Sequence, residues 1–178
     1  MRIIRGKYQR RQIVAPASLP VRPTTDMAKE SLFNILENLL ELDQLKVLDL
    51  FSGTGNIAYE MASRGGKSVL AIDQHPYCVR FIRSIIEKLQ IENLQVLQMD
   101  VFKFVPTTRQ KFDLIFADPP YDSPHFQLLV QLVFEHGLLE PGGLLVIEHS
   151  GNEDFSEHPA FVEMRHYGRV HFSFFRQA

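Results

Sequence analysis

Between residues 46 and 149 the sequence alternates short apolar runs of β type with helical stretches, and no other feature constrains the fold as strongly. Five runs predict strands, over residues 46–51, 68–73, 94–99, 112–118 and 143–149. Apolar residues at helical spacing predict helices over residues 57–64, 77–89 and 126–136. Strands that alternate with helices indicate a mostly parallel sheet with helices on both of its faces.

The two ends of the chain depart from this alternation. Residues 161–166 and 170–176 are strand-like with no helix between them, so we expect an antiparallel hairpin at the edge of the sheet. A helix is predicted from about Asp26. Before it, residues 2–5 and 12–14 predict a small β-hairpin, followed by an extended linker that contains three prolines. The sequence therefore predicts an α/β, Rossmann-like fold with seven strands, in which a hairpin and linker over residues 1–24 precede one domain over residues 25–178.

Residues 47–56 read as a strand that runs into a glycine loop and then a helix. Gly53 and Gly55 allow the backbone to turn sharply and a ligand to approach closely. Ligands of open α/β sheets bind beyond the carboxyl ends of the strands, where the strand order reverses. The loop also fits a relaxed dinucleotide fingerprint, and Asp73 would bind ribose hydroxyls in either case. On this loop alone, a nicotinamide-dependent oxidoreductase remains an alternative.

Two further acids favour S-adenosylmethionine over a dinucleotide. Asp49 lies inside an apolar strand, where a carboxylate must find a partner, and it can face the amino group of the methionine moiety. Asp100 follows the third strand and suits the adenine amine, although an Asp at this position could also cap a helix. Neither acid would serve a pyrophosphate. The predicted cofactor contacts are Asp49, Phe51, Gly53, Gly55, Asp73, Asp100, Val101 and Asp118.

The fourth strand ends in the motif Asp118-Pro119-Pro120-Tyr121. Proline cannot donate to the hydrogen-bond ladder, so the strand stops there and the rigid backbone aims Asp118 into the crevice. An exocyclic amine of a nucleic-acid base is a poor nucleophile, because its lone pair is delocalised into the ring. Asp118 and the Pro119 carbonyl could accept its N–H groups while Tyr121 stacks on the base. We interpret all four residues as a catalytic motif for amine methylation; the structural alternative is a capped Pro-Pro turn.

Charge is unevenly distributed along the chain. The net charge of −2 argues against indiscriminate binding to polyanions. Residues 1–25 nevertheless contain no acid, and their basic residues predict a contact with RNA phosphates, although a solvated terminus would look the same: Arg2, Arg5, Lys7, Arg10, Arg11 and Arg22. The single cysteine and the histidine spacing predict no metal site. A charged start and no apolar stretch of membrane length predict a cytoplasmic protein.

These motifs resemble those of class I methyltransferases with an Asp-Pro-Pro-Tyr-type motif. Across nearly the whole chain, the sequence is similar to the RsmD family of 16S ribosomal RNA guanine-N2 methyltransferases. The matching segments are Arg-Ile-Ile-Arg-Gly at 2–6, Arg-Pro-Thr-Thr-Asp at 22–26, Glu-Ser-Leu-Phe-Asn-Ile-Leu at 30–36, the loop at 49–55, Ser-Arg-Gly-Gly at 63–66 and Tyr-Gly at 167–168. One departure is Tyr121, where phenylalanine is common in the family; either ring can stack on a base.

The resemblance implies a class I methyltransferase fold and methyl transfer to the N2 amine of one guanine in 16S ribosomal RNA. It implies a substrate in the small ribosomal subunit or an assembly intermediate, and we expect the enzyme to be a monomer. Residue by residue, it implies cofactor contacts at Asp49, Gly53, Gly55, Asp73 and Asp100, and contacts to the target base at Asp118, Pro119 and Tyr121. Residues 22–25 would order the linker over the cofactor cleft.

Two further alternatives stay open. The same tetrapeptide serves DNA methyltransferases that act on adenine N6 or cytosine N4. However, residues 118–143 are too few for the recognition insert that such enzymes usually carry. A non-catalytic RNA-binding protein that kept the fold is the third possibility.

Overall fold

The computed structural model describes residues 1–178 and contains the Rossmann-like α/β sheet that the sequence predicts. Its seven strands have the spatial order β3-β2-β1-β4-β5-β7-β6. Strands β1 to β5 pair in parallel, whereas β7 is antiparallel to both β5 and β6. The predicted C-terminal hairpin at the sheet edge is thus confirmed. The strands are β1 Lys46–Leu50, β2 Ser68–Asp73, β3 Leu94–Gln98, β4 Phe112–Ala117, β5 Leu139–His149, β6 Phe161–Tyr167 and β7 Val170–Arg176.

Helices cover both faces of the sheet. They are α1 Asp26–Leu39, α2 Asn56–Ser63, α3 Pro76–Leu89, α4 Val101–Thr107 and α5 Phe126–Glu135. Side chains of α1, α2 and α3 share one apolar core with alternate residues of the strands, such as Val47, and those of α4 and α5 share a second core with the intervening residues, such as Leu48. This two-sided burial explains why the central strands read as continuous apolar runs. None of the helices is long and apolar enough to span a membrane.

Two elements differ from the sequence prediction. Helix α4 was not predicted, because seven residues are too few to show a helical period. Asp100 caps this helix: the Phe102 backbone N–H donates to Asp100 Oδ1 at 2.7 Å. Strand β5 begins at Leu139 rather than at residue 143, and its pairing with β4 shifts register between Phe112 and Leu114. The extra residues form a bulge that the local pattern does not reveal.

The N-terminal segment packs against the body of the protein. Its predicted hairpin is reduced to one bridge, between Arg2 and Gln12. Ile3, Tyr8 and Ile13 are buried and belong to the core that α1, α2 and α3 share. The division of the chain into an arm over residues 1–24 and a domain over residues 25–178 stays a prediction.

The order of the strands determines where a ligand can bind. From β1 the chain continues to β2 and β3 on one side, and β4 begins the other half on the opposite side. A crevice therefore opens between the carboxyl ends of β1 and β4, which is where ligands of such sheets bind. Each of the first five strands carries an acid at or just beyond this end: Asp49, Asp73, Asp100, Asp118 and Glu148.

Candidate active site

A cavity of about 790 Å³ occupies this crevice, a size typical of small-molecule sites. Its walls come from the linker, from the glycine loop, from the turns after β2 and β3, and from the motif after β4. All four residues of the predicted catalytic motif line the cavity. Of the predicted cofactor contacts, those that line it are Asp49, Phe51, Gly53, Asp73, Asp100, Val101 and Asp118.

Gly55, in contrast, is not among the lining residues. Its φ is 82°, and a Cβ atom there would lie 2.6 Å from Cζ of Tyr59. Both the backbone conformation and the lack of space exclude a side chain. The structure thus assigns Gly55 to the packing of the loop against α2 rather than to the cavity wall.

The loop itself is held in an unusual conformation. Phe51 has a φ of 58°, in the left-handed region that non-glycine residues rarely adopt. Asp73 fastens the loop to the end of β2: Gly53 N–H donates to Asp73 Oδ2 at 2.9 Å, and His75 N–H donates to Oδ1 at 2.8 Å. Each carboxylate oxygen of Asp73 keeps further acceptor capacity, so this residue can also bind hydroxyl groups in the cavity.

Asp49 is a buried acid of the cavity with one unsatisfied carboxylate oxygen. The residue is 1% exposed, and its Oδ2 atom has no hydrogen-bond partner. Burial, followed by the charge of Asp73, raises the pKa of Asp49 to about 8. A buried carboxylate oxygen normally has a partner, and the lack of one at Oδ2 leaves a place for a cationic group of a ligand. These properties fit the ammonium group of S-adenosylmethionine.

The catalytic motif begins beside β1, where the Asp118 N–H donates to the Leu50 carbonyl at 3.3 Å. Burial raises the pKa of Asp118 well above its ordinary value, and the charges of Glu148 and Asp49 raise it further. The Tyr121 residue is 44% exposed, and its hydroxyl donates to Glu148 Oε1 at 3.0 Å. The motif therefore presents a carboxyl group and an aromatic ring to the same cavity.

The linker closes the cavity from above the glycine loop. Residues 20–25 line the cavity, and Thr24 contacts both sides of it. The Thr24 hydroxyl donates to Glu148 Oε2 at 3.3 Å, and Asn56 Nδ2 donates to the Thr24 carbonyl at 3.0 Å. Lys29 Nζ in turn donates to Asn56 Oδ1 at 2.8 Å. The linker is thus tied to the cavity wall at β5 and at the start of α2.

The basic residues predicted to contact RNA fall into three groups. Only Arg22 lines the cavity. Arg2 and Arg5 form ion pairs with Asp26 at 3.5 Å and with Glu37 at 3.0 Å. The remaining three are exposed and form no salt bridge: Lys7, Arg10 and Arg11.

Sequence reasoning missed Glu148 as a site residue. It lies near the end of β5, is 4% exposed, and accepts hydrogen bonds from both Tyr121 and Thr24. Burial raises the pKa of Glu148, although these two hydrogen bonds act in the opposite direction. The signal that would have found it is the one that identified Asp49, an acid inside an otherwise apolar strand.

Comparisons with known proteins match nearly the whole chain. The family model described as "Conserved hypothetical protein 95" matches residues 1–176. "Ribosomal RNA small subunit methyltransferase D" of Haemophilus influenzae is 31% identical over 155 residues, which is 83% of this chain and 78% of that protein. The protein of the same name from Buchnera aphidicola is 30% identical over 148 residues, 83% of this chain and 75% of its own length. A solved structure of a hypothetical protein from a Thermus species has a TM-score of 0.86 and 26% identity, with coverage of 100% and 99%.

Proposed function

The chain belongs to the conserved hypothetical protein 95 family, the RsmD family that its motifs resemble, and on this premise we propose that it methylates the N2 amine of a guanine in 16S ribosomal RNA. The methyl donor is S-adenosylmethionine. The observation that carries the proposal is that Asp49, with its unsatisfied Oδ2 atom, and the Asp118–Tyr121 motif line the same cavity. Two of the relatives are named ribosomal RNA small subunit methyltransferases, which supports the substrate class.

Three acids of the cavity suit the three polar parts of the methyl donor. Asp49 would accept from its ammonium group, and Asp73 from its ribose hydroxyls. Asp100 Oδ1 accepts the hydrogen bond that caps α4, so the second oxygen of Asp100 is free to accept from the adenine amine. When bound, S-adenosylmethionine supplies an electrophilic methyl group on a sulfonium centre.

The Asp118–Tyr121 motif binds and activates the target amine, which is the nucleophile of the reaction. Asp118 and the Pro119 carbonyl accept the two N–H groups of the amine and favour its pyramidal, more nucleophilic form. Tyr121 stacks on the base and holds it in line with the methyl group, a contact worth roughly 1–3 kcal/mol. Because the pKa of Asp118 is raised, its carboxylate is a suitable acceptor for the proton that the amine loses.

The substrate is the small ribosomal subunit or one of its assembly intermediates, on which the enzyme acts in the cytoplasm. Arg22 lies at the cavity and would contact the backbone next to the target nucleotide. Lys7, Arg10 and Arg11 would bind phosphates more distantly, which positions the enzyme without reading sequence. We propose that the active unit is a monomer.

The alternatives have less support. Between the motif and β5 the chain has room only for α5 and its turns, so no target-recognition insert for DNA is present. The acids at the ends of β1 and β3 have no use in a nicotinamide enzyme. A non-catalytic RNA-binding protein would have no need for a buried acid with an unsatisfied oxygen beside the motif.

Mass spectrometry of 16S ribosomal RNA tests the proposal. Small subunits from a strain that lacks this gene should gain one N2-methylguanine when treated with the protein and S-adenosylmethionine. Asp118→Ala should lower kcat by about 10²–10³, as expected for loss of a group that acts in the transition state, while S-adenosylhomocysteine still binds. Methyl transfer to plasmid DNA with none to 16S RNA would favour the DNA alternative, and an Asp118→Ala variant as fast as wild type would refute the mechanism.

A further inference from the structure

Glu148 lies in the cavity, yet none of the roles described above uses it. Ala117 of β4 pairs with Ile147 of β5, so the next positions along the two strands are Asp118 and Glu148. The two acids thus stand side by side on neighbouring strands, and both line the cavity. Glu148 is 4% exposed, and a carboxylate buried to this extent must be hydrogen-bonded or paired with a charge.

The carboxylate of Glu148 is held in a defined position from two directions. Tyr121 donates to one oxygen at 3.0 Å, and Thr24 donates to the other at 3.3 Å. A carboxylate oxygen can accept two hydrogen bonds, so each oxygen of Glu148 keeps one free acceptor site. A group fixed in this way loses little entropy when it binds a ligand.

In their ionised forms, Asp118 and Glu148 present only acceptors to the cavity. The Watson–Crick edge of guanine complements such a pair, because its N1–H and its N2 amine are both donors. Adenine and cytosine place an acceptor nitrogen beside their amine, and that lone pair would face a carboxylate. Burial raises the pKa of both acids, and a ligand edge made only of donors would relieve their mutual repulsion.

Resting on the proposed function, we propose that Glu148 is the residue that selects guanine, by accepting the N1–H of the target base while Asp118 accepts from the N2 amine. The Tyr121 hydroxyl then has a positioning role, since it orients the Glu148 carboxylate while the ring stacks on the base. Selection through an unsatisfied buried group is strong, because a base without the N1 hydrogen leaves the carboxylate facing a lone pair.

The test replaces the target guanine by 2-aminopurine, which keeps the N2 amine and has no hydrogen on N1. Semi-synthetic 16S RNA carrying either base is assembled into small subunits, and kcat/KM is measured for both. Wild type should prefer guanine by roughly tenfold to hundredfold, the range of one well-placed pair of base contacts. In Glu148→Gln the preference should fall towards one, because the amide can donate to N1 of 2-aminopurine.

Tyr121→Phe is the matched control, because it removes one anchor of Glu148 and keeps the carboxylate. It should slow both substrates and preserve most of the preference for guanine. A Glu148→Gln protein with the wild-type preference would overturn the proposal. So would a wild-type enzyme that does not distinguish the two bases, a result that needs no variant. Wild type that fails to methylate guanine subunits would instead refute the proposed function itself.

Discussion

Lys29, Glu60 and Asp49 are all buried in the same half of the protein, but their surroundings differ. Glu60 accepts from the backbone N–H groups of Ile4 and Arg5 at 2.9 and 3.1 Å, and from Arg64 Nε at 2.9 Å. Lys29 lies 3.4 Å from Glu60 and also donates to the Arg2 carbonyl. We call Lys29, Glu60 and Arg64 the anchor cluster. Asp49, in contrast, has an oxygen without any partner.

The anchor cluster is complete within the chain. It joins α1, α2 and the N-terminal segment, and the Lys29 contact to Asn56 extends it to the linker over the cavity. Burial lowers the pKa of Lys29, while the charge of Glu60 acts against this shift. The cluster therefore has an architectural role, since it holds the linker and the basic segment in place.

The acids of the cavity form an incomplete site. Burial raises the pKa of Asp49, Asp118 and Glu148, and the charges of neighbouring acids raise the pKa of Asp49 and Asp118 further. No lysine or arginine forms a salt bridge with any of the three. Such an arrangement costs stability unless a ligand supplies the missing cations and donors. A buried charged residue that lacks hydrogen-bond or ion-pair partners thus indicates a ligand site, whereas one whose partners are present has a structural role.

The largest effect should follow from breaking the anchor cluster. In Glu60→Gln the amide offers one acceptor where the carboxylate had two, and it leaves Lys29 buried without a counter-charge. Removal of one partner from a buried ion pair costs about 3–5 kcal/mol, and we expect the free energy of unfolding to fall by that amount in urea titrations. Glu37→Gln is the control, because Glu37 pairs with the same Arg64 at 2.6 Å but is exposed. It should cost no more than about 1 kcal/mol. Equal losses in the two variants would show that the buried anchor cluster stabilises the fold no more than an exposed ion pair does.

At the cavity acids, a substitution is expected to weaken ligand binding and to leave the stability of the free protein unchanged. Because the pKa of Asp49 is raised to about 8, the free protein holds this group mostly uncharged at pH 7, and Asp49→Asn, which is also uncharged, should not cost stability there. Its affinity for S-adenosylhomocysteine should fall by roughly tenfold to hundredfold, because a charged hydrogen bond is worth about 1.5–3 kcal/mol. Asp113→Asn is the control, an acid of β4 that accepts from Lys46 N–H at 2.8 Å outside the cavity. Calorimetric titration measures both, and equal affinities of Asp49→Asn and wild type would exclude Asp49 as the ammonium contact.

The pKa of Asp49 adds a dependence on pH. Because the folded-state pKa is about 8 and the unfolded value is near 4, this group stabilises the fold fully below pH ~4, and the contribution is lost as pH rises through about 8. An ammonium group reverses the preference, since it favours the ionised carboxylate. Binding at pH 7 should therefore release about one proton from wild type and none from this position in Asp49→Asn. Titrations in two buffers with different ionisation enthalpies measure this proton, and wild-type binding without release would contradict the assignment.

Local patterns were sufficient for most of the fold and for part of the site. The glycine loop, Asp49 and the Asp118 motif are each contained in a short stretch, so their chemistry can be read directly. Helix α4 was too short to show a period. The contact between Thr24 and Glu148 joins residues 124 positions apart, and such pairings arise only from the assembled sheet. The packing of Ile3 and Tyr8 into the core was hidden for the same reason, because it depends on α1 and α2 being in place.

The smallest effect per residue is expected from the exposed charges that the anchor cluster holds in position. Lys7, Arg10 and Arg11 form no salt bridge, although Lys7 Nζ lies 5.4 Å from the centre of the Tyr8 ring. Replacement of all three by alanine should leave the free energy of unfolding almost unchanged. It should weaken binding to 16S RNA and reduce the slope of log affinity against log salt by roughly two, because each phosphate contact contributes about 0.7–0.9. The control replaces three exposed basic residues of the body, Arg83, Lys88 and Lys111, and should keep the wild-type slope. A slope that falls equally in both variants would mean that the RNA responds to total charge, and that the N-terminal segment has no special part in binding.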